Sequence, residues 1–265
     1  MAEAATKAAG VIGEPVNRTH LPFELDKGVA HRAAIGLIVL ATDNTLEYEV
    51  GRMLGLDGVA VYHSRVRNDP EITPETLARM ERRIAEAAAL ILPGARLDVI
   101  AYACTSGAMV IGEDAVFARI REARPGIRCT TPITAAMAGF EALGIARVAL
   151  LTPYVDDINQ MMRRYIEARG VAVPAMGSFN HEDDNEVARI TPASLEAATL
   201  ELGRADDVDA VFVSCTSLRL VDFVDRLEAE LGKPVLSSNH ALAWHCLRLA
   251  GYVDPVPGFG RLMRV

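Results

Sequence analysis

Asp98-Val-Ile-Ala-Tyr-Ala-Cys104-Thr105-Ser106-Gly107 is answered later in the chain by Asp209-Ala-Val-Phe-Val-Ser-Cys215-Thr216-Ser217-Leu218. Both stretches run from an acidic residue through small or apolar residues to Cys-Thr-Ser. An unbroken apolar run of this kind predicts a short strand buried on both faces, as in a parallel sheet. The small polar residues after each cysteine predict the first turn of a helix. Each cysteine then stands at the carboxyl end of a strand, where open α/β sheets place their chemistry.

A second motif repeats in register with the first. Ile72-Thr-Pro-Glu-Thr-Leu77 and Ile190-Thr-Pro-Ala-Ser-Leu195 both set Thr as helix N-cap and Pro at the first helical position. Corresponding residues lie 118 apart at Thr73 and Thr191, 111 apart at Cys104 and Cys215, and 107 apart at Gly144 and Gly251. Small loop deletions in one copy produce such a drift. The chain therefore reads as an internal duplication, each half a βαβαβαβα unit. The expected fold class is α/β, with two pseudosymmetric doubly wound lobes, each holding a small parallel sheet, and the site in the cleft between them.

The remaining elements fill in around these anchors. Apolar runs predict strands at 33–41, 58–63, 127–130, 148–152, 171–176 and 234–236. Leu77, Met80, Ile84, Ala88 and Ile91 share one face of a single predicted helix that Pro93-Gly94 stops. Thr42-Asp43-Asn44-Thr45 supplies cap residues for a helix near Leu46. The expected divisions are an N-terminal arm over 1–32, a first lobe over 33–144 and a second over 145–238. A C-terminal helix and tail over 239–265 are expected to pack back toward the first lobe.

Composition bounds the function. The 265 residues carry a net charge of −8, with 51% hydrophobic and 23% charged residues. Such a balance describes an ordinary globular protein and lacks the basic face that nucleic acid or an anionic membrane would need. No stretch approaches the ~18 consecutive apolar residues of a membrane span. The start of the chain has no basic region followed by an apolar run, so no secretory signal is read there. The four cysteines show neither a C-x-x-C pair nor a zinc spacing. Free thiols in a reducing, cytoplasmic setting are expected, with no metal and no organic cofactor. The unassigned arm and the apolar fraction are compatible with a homo-oligomer.

Opposed lobes would bring Cys104 and Cys215 to facing walls of one pocket. A thiol at a helix start sits where free N–H groups and the helix dipole favour thiolate. Thr105, Ser106, Thr216 and Ser217 supply hydroxyls and amides suited to carboxylate oxygens. Two thiols on opposite faces can invert a stereocentre by passing a proton from one side to the other. Alternatively, one thiolate can add to an activated C=C, allow rotation and leave, isomerising cis to trans. Against this stands the ordinary use of cysteine as a small buried hydrophobe, the reading given to Cys129 and Cys246. His63 and His240 lie near strand ends and His181 in an acidic loop. Structural or solvated roles are the simpler reading for all three.

With these residues in view, the chain resembles the aspartate/glutamate racemase superfamily over about residues 33–262. It is most similar there to maleate cis–trans isomerases and to ectoine-utilisation proteins related to arylmalonate decarboxylase. The resemblance rests on Thr42-Asp-Asn-Thr45, Ser64-Arg-Val-Arg67, Ala101-Tyr-Ala-Cys104, Thr152-Pro-Tyr154, Ser214-Cys-Thr-Ser217 and Pro255-Val-Pro-Gly258. It implies a substrate between the lobes, Cys104 as nucleophile, Cys215 as acid/base partner, and Asn44 and Tyr154 holding substrate carboxylates. It also implies isomerisation or racemisation over decarboxylation, because arylmalonate decarboxylases lack the first cysteine. One stretch departs from the maleate pattern. Within Asp183-Asp-Asn-Glu-Val-Ala-Arg189, the substrate-binding asparagine position falls on Asp184, with Asn185 one residue later. Asn185 is the expected substrate contact. An aspartate there would repel a dicarboxylate. The expected activity is cofactor-independent isomerisation of a small carboxylic acid, with racemisation in ectoine breakdown or arylmalonate-type decarboxylation as alternatives. A two-lobed small-ligand-binding protein is the non-enzymatic alternative.

Overall fold

The computed structural model describes residues 16–69, 71, 73–181 and 183–265. The apolar run Ala33–Leu40 forms β1 and is buried along its whole length. Such burial on both faces is what continuous hydrophobic sequence in a parallel sheet requires. The first lobe continues with α1 (Leu46–Met53), β2 (Val59–Val66), α2 (Pro74–Ala78), α3 (Glu81–Leu90), β3 (Val99–Ala103), α4 (Thr105–Ile111), α5 (Glu113–Ala123), β4 (Arg128–Thr130) and α6 (Pro132–Leu143). The second comprises β5 (Arg147–Thr152), α7 (Asp156–Glu167), β6 (Ala172–Ser178), α8 (Asp184–Val187), α9 (Pro192–Gly203), β7 (Ala210–Val213), α10 (Val224–Leu231), β8 (Val235–Ser237) and α11 (Ser238–Ala250).

Both sheets are parallel and share one strand order, β2-β1-β3-β4 and β6-β5-β7-β8. The duplication thus holds at the level of topology, as two α/β lobes. The acidic residue that opens each motif strand has a structural task. The Asp98 N–H donates to the Ala34 carbonyl at 2.9 Å, and Asp98 Oδ2 accepts the Ala34 N–H at 2.8 Å. Asp209 does the same at Arg147, with Oδ2 at 2.9 Å from the Arg147 N–H. Each carboxylate pins the start of the motif strand to the start of the lobe's first strand.

The lobes exchange their last helices. Phe140 on α6 meets Phe212 of β7 edge-on at 5.5 Å, and Gly139 approaches Leu236 so closely that a Cβ would lie 3.1 Å from it. Reciprocally, α11 packs on α6 and over β1, β3 and β4. Neither lobe's core is complete without the other's terminal helix, which fixes the cleft between them.

Two expectations about helices need correction. The single helix expected after Thr73 is divided into α2 and α3 around Arg79-Met80. Met80 at the break is buried and accepts a hydrogen bond from the Tyr102 hydroxyl on Sδ at 3.4 Å. The break lets α2 lean over the cleft while α3 stays on the sheet. No helix begins after Cys215 either; turns run from Thr216 until α10. The Leu220 and Val221 N–H groups, which would have entered a helix, are instead taken by Glu49 Oε1 at 2.5 and 2.8 Å. Within the arm, residues 16–32 carry no helix or strand and residues 1–15 lie outside the described residues. No helix among the described residues is long and apolar enough to cross a membrane.

Candidate active site

In a sheet of order 2-1-3-4, the crevice opens between the first and third strands, where successive connections leave in opposite directions. Cys104 stands at the end of β3 and Thr42-Asp43 just beyond β1. In the second lobe Cys215 follows β7, and Tyr154 lies just beyond β5. The two crevices face each other and share one narrow cleft, lined by Cys104, Thr105, Ser106, Tyr154, Cys215 and Thr216. Both thiols are only 4% exposed. The backbone of Glu71 bridges that of Asp183, so a segment of the first lobe meets the second across the mouth.

Cys104 is the N-cap of α4, its Sγ accepting the Gly107 N–H at 3.3 Å. Gly107 is required there by close approach, since an added Cβ would lie 2.8 Å from Cys104 Sγ, 2.9 Å from Met80 and 2.9 Å from the Tyr102 hydroxyl. Gly107→Ala is expected to cost about 1–3 kcal/mol in urea unfolding and to lower turnover by displacing the thiol. An unchanged unfolding midpoint and rate would contradict this. The matching residue after Cys215 is Leu218, which needs no such room because no helix forms there. Instead Cys215 Sγ accepts the Ser217 N–H at 3.4 Å and lies beside the Tyr154 hydroxyl.

The expectation that helix starts would favour thiolate is overturned by burial. Desolvation, followed by the charge of Asp184, pushes the Cys104 thiol up to about 12, against the opposing Gly107 and Ser106 hydrogen bonds. Desolvation and Asp184 push Cys215 up as well, against Tyr154 and Ser217. Burial disfavours the charged form more than one or two N–H donors favour it. Both thiols rest protonated near neutral pH. At pH 8, in the absence of ligand, each is therefore expected to react with iodoacetamide more than ~10-fold slower than free cysteine. Peptide mass spectrometry over a time course reads this directly, and a fast thiol at either position would refute it.

Asn44 and Asn185 are not at the cleft, a correction to both expectations. Asp43, not Asn44, caps the turn, its Oδ1 accepting the Thr45 and Leu46 N–H groups at 2.9 and 2.8 Å. Asn44 faces a separate surface cavity beside Tyr48 and Arg219. Asp183 caps α8 through the Asn185 and Glu186 N–H groups, which turns Asp184 inward and leaves Asn185 exposed. Asp184, 5% exposed, lines the cleft. Ser217 lies just behind it, donating to Asp184 Oδ1 at 2.7 Å. Asn68, Asp69 and Glu71 also line the cleft. They sit in a polar stretch after β2 with no repeat in the second half, and nothing in the pattern marked them. No arginine, lysine or histidine is among its described lining residues.

The remaining titratable candidates lie elsewhere. His240 is fully buried, with neither ring nitrogen hydrogen-bonded among the described residues, and burial pushes it down to about 4. His63 is exposed on β2. Cys129 and Cys246 are unpaired and away from the cleft. No cluster of metal-ligating side chains occurs among the described residues.

The lobes are laced together behind Cys215. Asn239 donates to the Thr216 carbonyl and to Glu49 Oε2, both at 2.8 Å. Thr45 donates to the Ser217 carbonyl at 3.0 Å, and Thr105 shares a hydrogen bond with Ser238 at 2.8 Å. Glu49 is the residue that pattern reading missed most plainly. Its signal was a carboxylate on the apolar stripe of α1, between Leu46 and Val50 on one side and Met53 on the other.

Comparison with known proteins agrees with this geometry. The family model described as arylmalonate decarboxylase matches residues 63–263. The arylmalonate decarboxylase of Bordetella bronchiseptica is 32% identical over 71% of this chain and 77% of its own length. The maleate isomerase of Nocardia farcinica is 32% identical over 87% of this chain and 95% of its own. A solved structure of a Cys-to-Ser variant of the Nocardia farcinica maleate cis–trans isomerase, with a covalently bound succinylcysteine intermediate, superposes with a TM-score of 0.80. It is 30% identical and covers 88% of this chain and 98% of that one. With two lobes of one topology and a cysteine at each facing strand end, the chain belongs to the arylmalonate decarboxylase family, within the aspartate/glutamate racemase superfamily.

Proposed function

We propose that the protein is a cofactor-independent cis–trans isomerase of a small unsaturated carboxylic acid, of the maleate isomerase type. The carrying observation is that two thiols, one from each lobe, line one desolvated cleft. In this reading a substrate carboxylate is held by the Thr105, Ser106, Thr216 and Tyr154 polar groups, and the alkene lies between the sulfurs. The Cys104 thiol passes its proton to a substrate carboxylate oxygen as Sγ bonds to one alkene carbon, and the π pair moves to the adjacent carbon. That carbon takes the proton of Cys215, giving a thioether with a freely rotating C–C bond. After rotation, the Cys215 thiolate removes a proton from the same carbon. The double bond re-forms as trans, the sulfur–carbon bond to Cys104 breaks, and Sγ recovers its proton from the carboxylate. The succinylcysteine on the Nocardia farcinica relative is the adduct such a path would pass through.

A second reading, racemisation of an amino-acid-derived intermediate of ectoine breakdown, is favoured by the acidic lining at Asp184. It uses the same thiols as bases on opposite faces. Proton NMR of the purified chain in deuterated buffer tests both. Conversion of a cis alkene to its trans isomer supports isomerisation. Deuterium appearing beside the carboxylate of a saturated amino acid derivative supports racemisation instead. Neither signal across a panel of small acids would leave the ligand-binding alternative. We place the enzyme in the cytoplasm, where the thiols this chemistry requires stay reduced.

A further inference from the structure

We propose that Asp184 sets the substrate's charge: the cleft takes a monoanion whose far end is a hydrogen-bond donor, an amide or an ammonium, and rejects a second carboxylate there. The assignment rests on the cleft being the active site, as above. It follows from a directed chain of hydrogen bonds. The Thr42 N–H donates to Asn68 Oδ1 at 3.2 Å, which fixes the orientation of the Asn68 amide. Asn68 Nδ2 therefore faces Thr42 Oγ1 and donates to it at 2.8 Å. With that oxygen already accepting, the Thr42 hydroxyl proton points onward to Asp184 Oδ2 at 2.5 Å. The Ser217 hydroxyl donates to the other oxygen, Oδ1.

Asp184 is thus presented as an acceptor at both oxygens, the pattern of an ionised carboxylate. Each oxygen keeps unused acceptor capacity, since a carboxylate offers about four sites. The rest of the lining adds to the bias. Asp69 and Glu71 also line the cleft, and none of its described lining residues is cationic. A second substrate carboxylate would meet like charge in a desolvated site, where such repulsion is least screened. An amide of the same shape replaces one oxygen by a donor and fits the acceptor it faces. Asp184 also acts on the thiols through its charge, so the selection is read in the binding of molecules that have no alkene to react.

The test compares matched pairs on the purified full-length chain. Calorimetry reads binding of succinamate and succinate, which have no alkene to react. Turnover is followed in parallel with maleamate and maleate. Succinamate is expected to bind at least ~30-fold tighter than succinate. Asp184→Asn is expected to narrow or reverse that preference in calorimetry, where the thiols do not react. Equal or tighter binding of succinate by the wild-type chain, or binding of neither, would overturn the proposal, and this comparison decides even if the variant fails to fold. A preserved preference for succinamate with no turnover of either alkene would uphold the role of Asp184 and overturn the isomerase reading alone.

Discussion

Cys104→Ala and Cys215→Ala are each expected to reduce turnover by at least ~10³-fold, with the fold retained. The cleft offers no substitute for either sulfur. The other uncharged polar side chains lining it are the hydroxyls of Thr76, Thr105, Ser106, Tyr154 and Thr216 and the amide of Asn68. A hydroxyl is far harder to deprotonate than a thiol, and the same burial that pushes Cys104 up to about 12 would push it further. Structurally the losses are small. Each thiol is a short side chain at a cleft wall, and its removal costs on the order of 1 kcal/mol, against the larger cavities that Leu→Ala changes leave. The two variants should also differ in kind. With Cys104 gone, no sulfur–carbon bond can form at that wall and intact mass spectrometry should show no adduct. In Cys215→Ser the hydroxyl can still deliver the proton that forms the adduct at Cys104, and the adduct should persist because a hydroxyl is a poor base for the proton removal that releases it. Near-normal rates in either alanine variant would remove the two-thiol mechanism.

Much of the fold was legible because a parallel sheet writes itself as apolar runs. Ala33–Leu40 and Val99–Ala103 have almost no other use, and a motif recurring in register reveals duplication without any knowledge of contacts. Caps were legible for the same local reason, as at Thr73 and Thr191, whose hydroxyls accept the Thr76 and Ser194 N–H groups. The departures come from contacts that pattern alone does not show, some between residues far apart in the chain and some from a local cap. The turns after Cys215 look like a helix start until Glu49, 171 positions earlier, takes the Leu220 N–H. Asp184 and Asn185 are both polar and adjacent, and only the cap at Asp183 decides which one turns inward. The thiols' state was misjudged because helix N-termini are visible in sequence, whereas the depth of burial at a lobe interface is not.

Glu49 carries the second large effect, because one buried carboxylate holds together three segments. Its Oε1 accepts the Leu220 and Val221 N–H groups and its Oε2 accepts Asn239 Nδ2, which also holds the Thr216 carbonyl beside Cys215. Glu49→Ala strands these donors in a buried place. A loss of about 3–5 kcal/mol is expected in urea unfolding at pH 5, shrinking as pH rises through 7, with turnover falling as the Cys215 turn loosens. Glu49→Gln separates charge from shape. Burial, outweighing the three donors, raises Glu49 to about 7 from an ordinary 4.5. A carboxyl so raised binds its proton more tightly in the folded chain than in the unfolded one. Its contribution therefore favours folding at acid pH and is lost as pH rises from about 4.5 through about 7, a change on the order of 3 kcal/mol. Gln cannot titrate, so unfolding free energies of Glu49→Gln should decline less than wild type across that window. The two chains should differ most in slope between pH 5 and 7. Parallel pH profiles would mean that Glu49 stays ionised throughout, its three donors outweighing burial. That outcome would make the carboxylate a permanent strut between the lobes, in place of a group that loosens the cleft as it ionises.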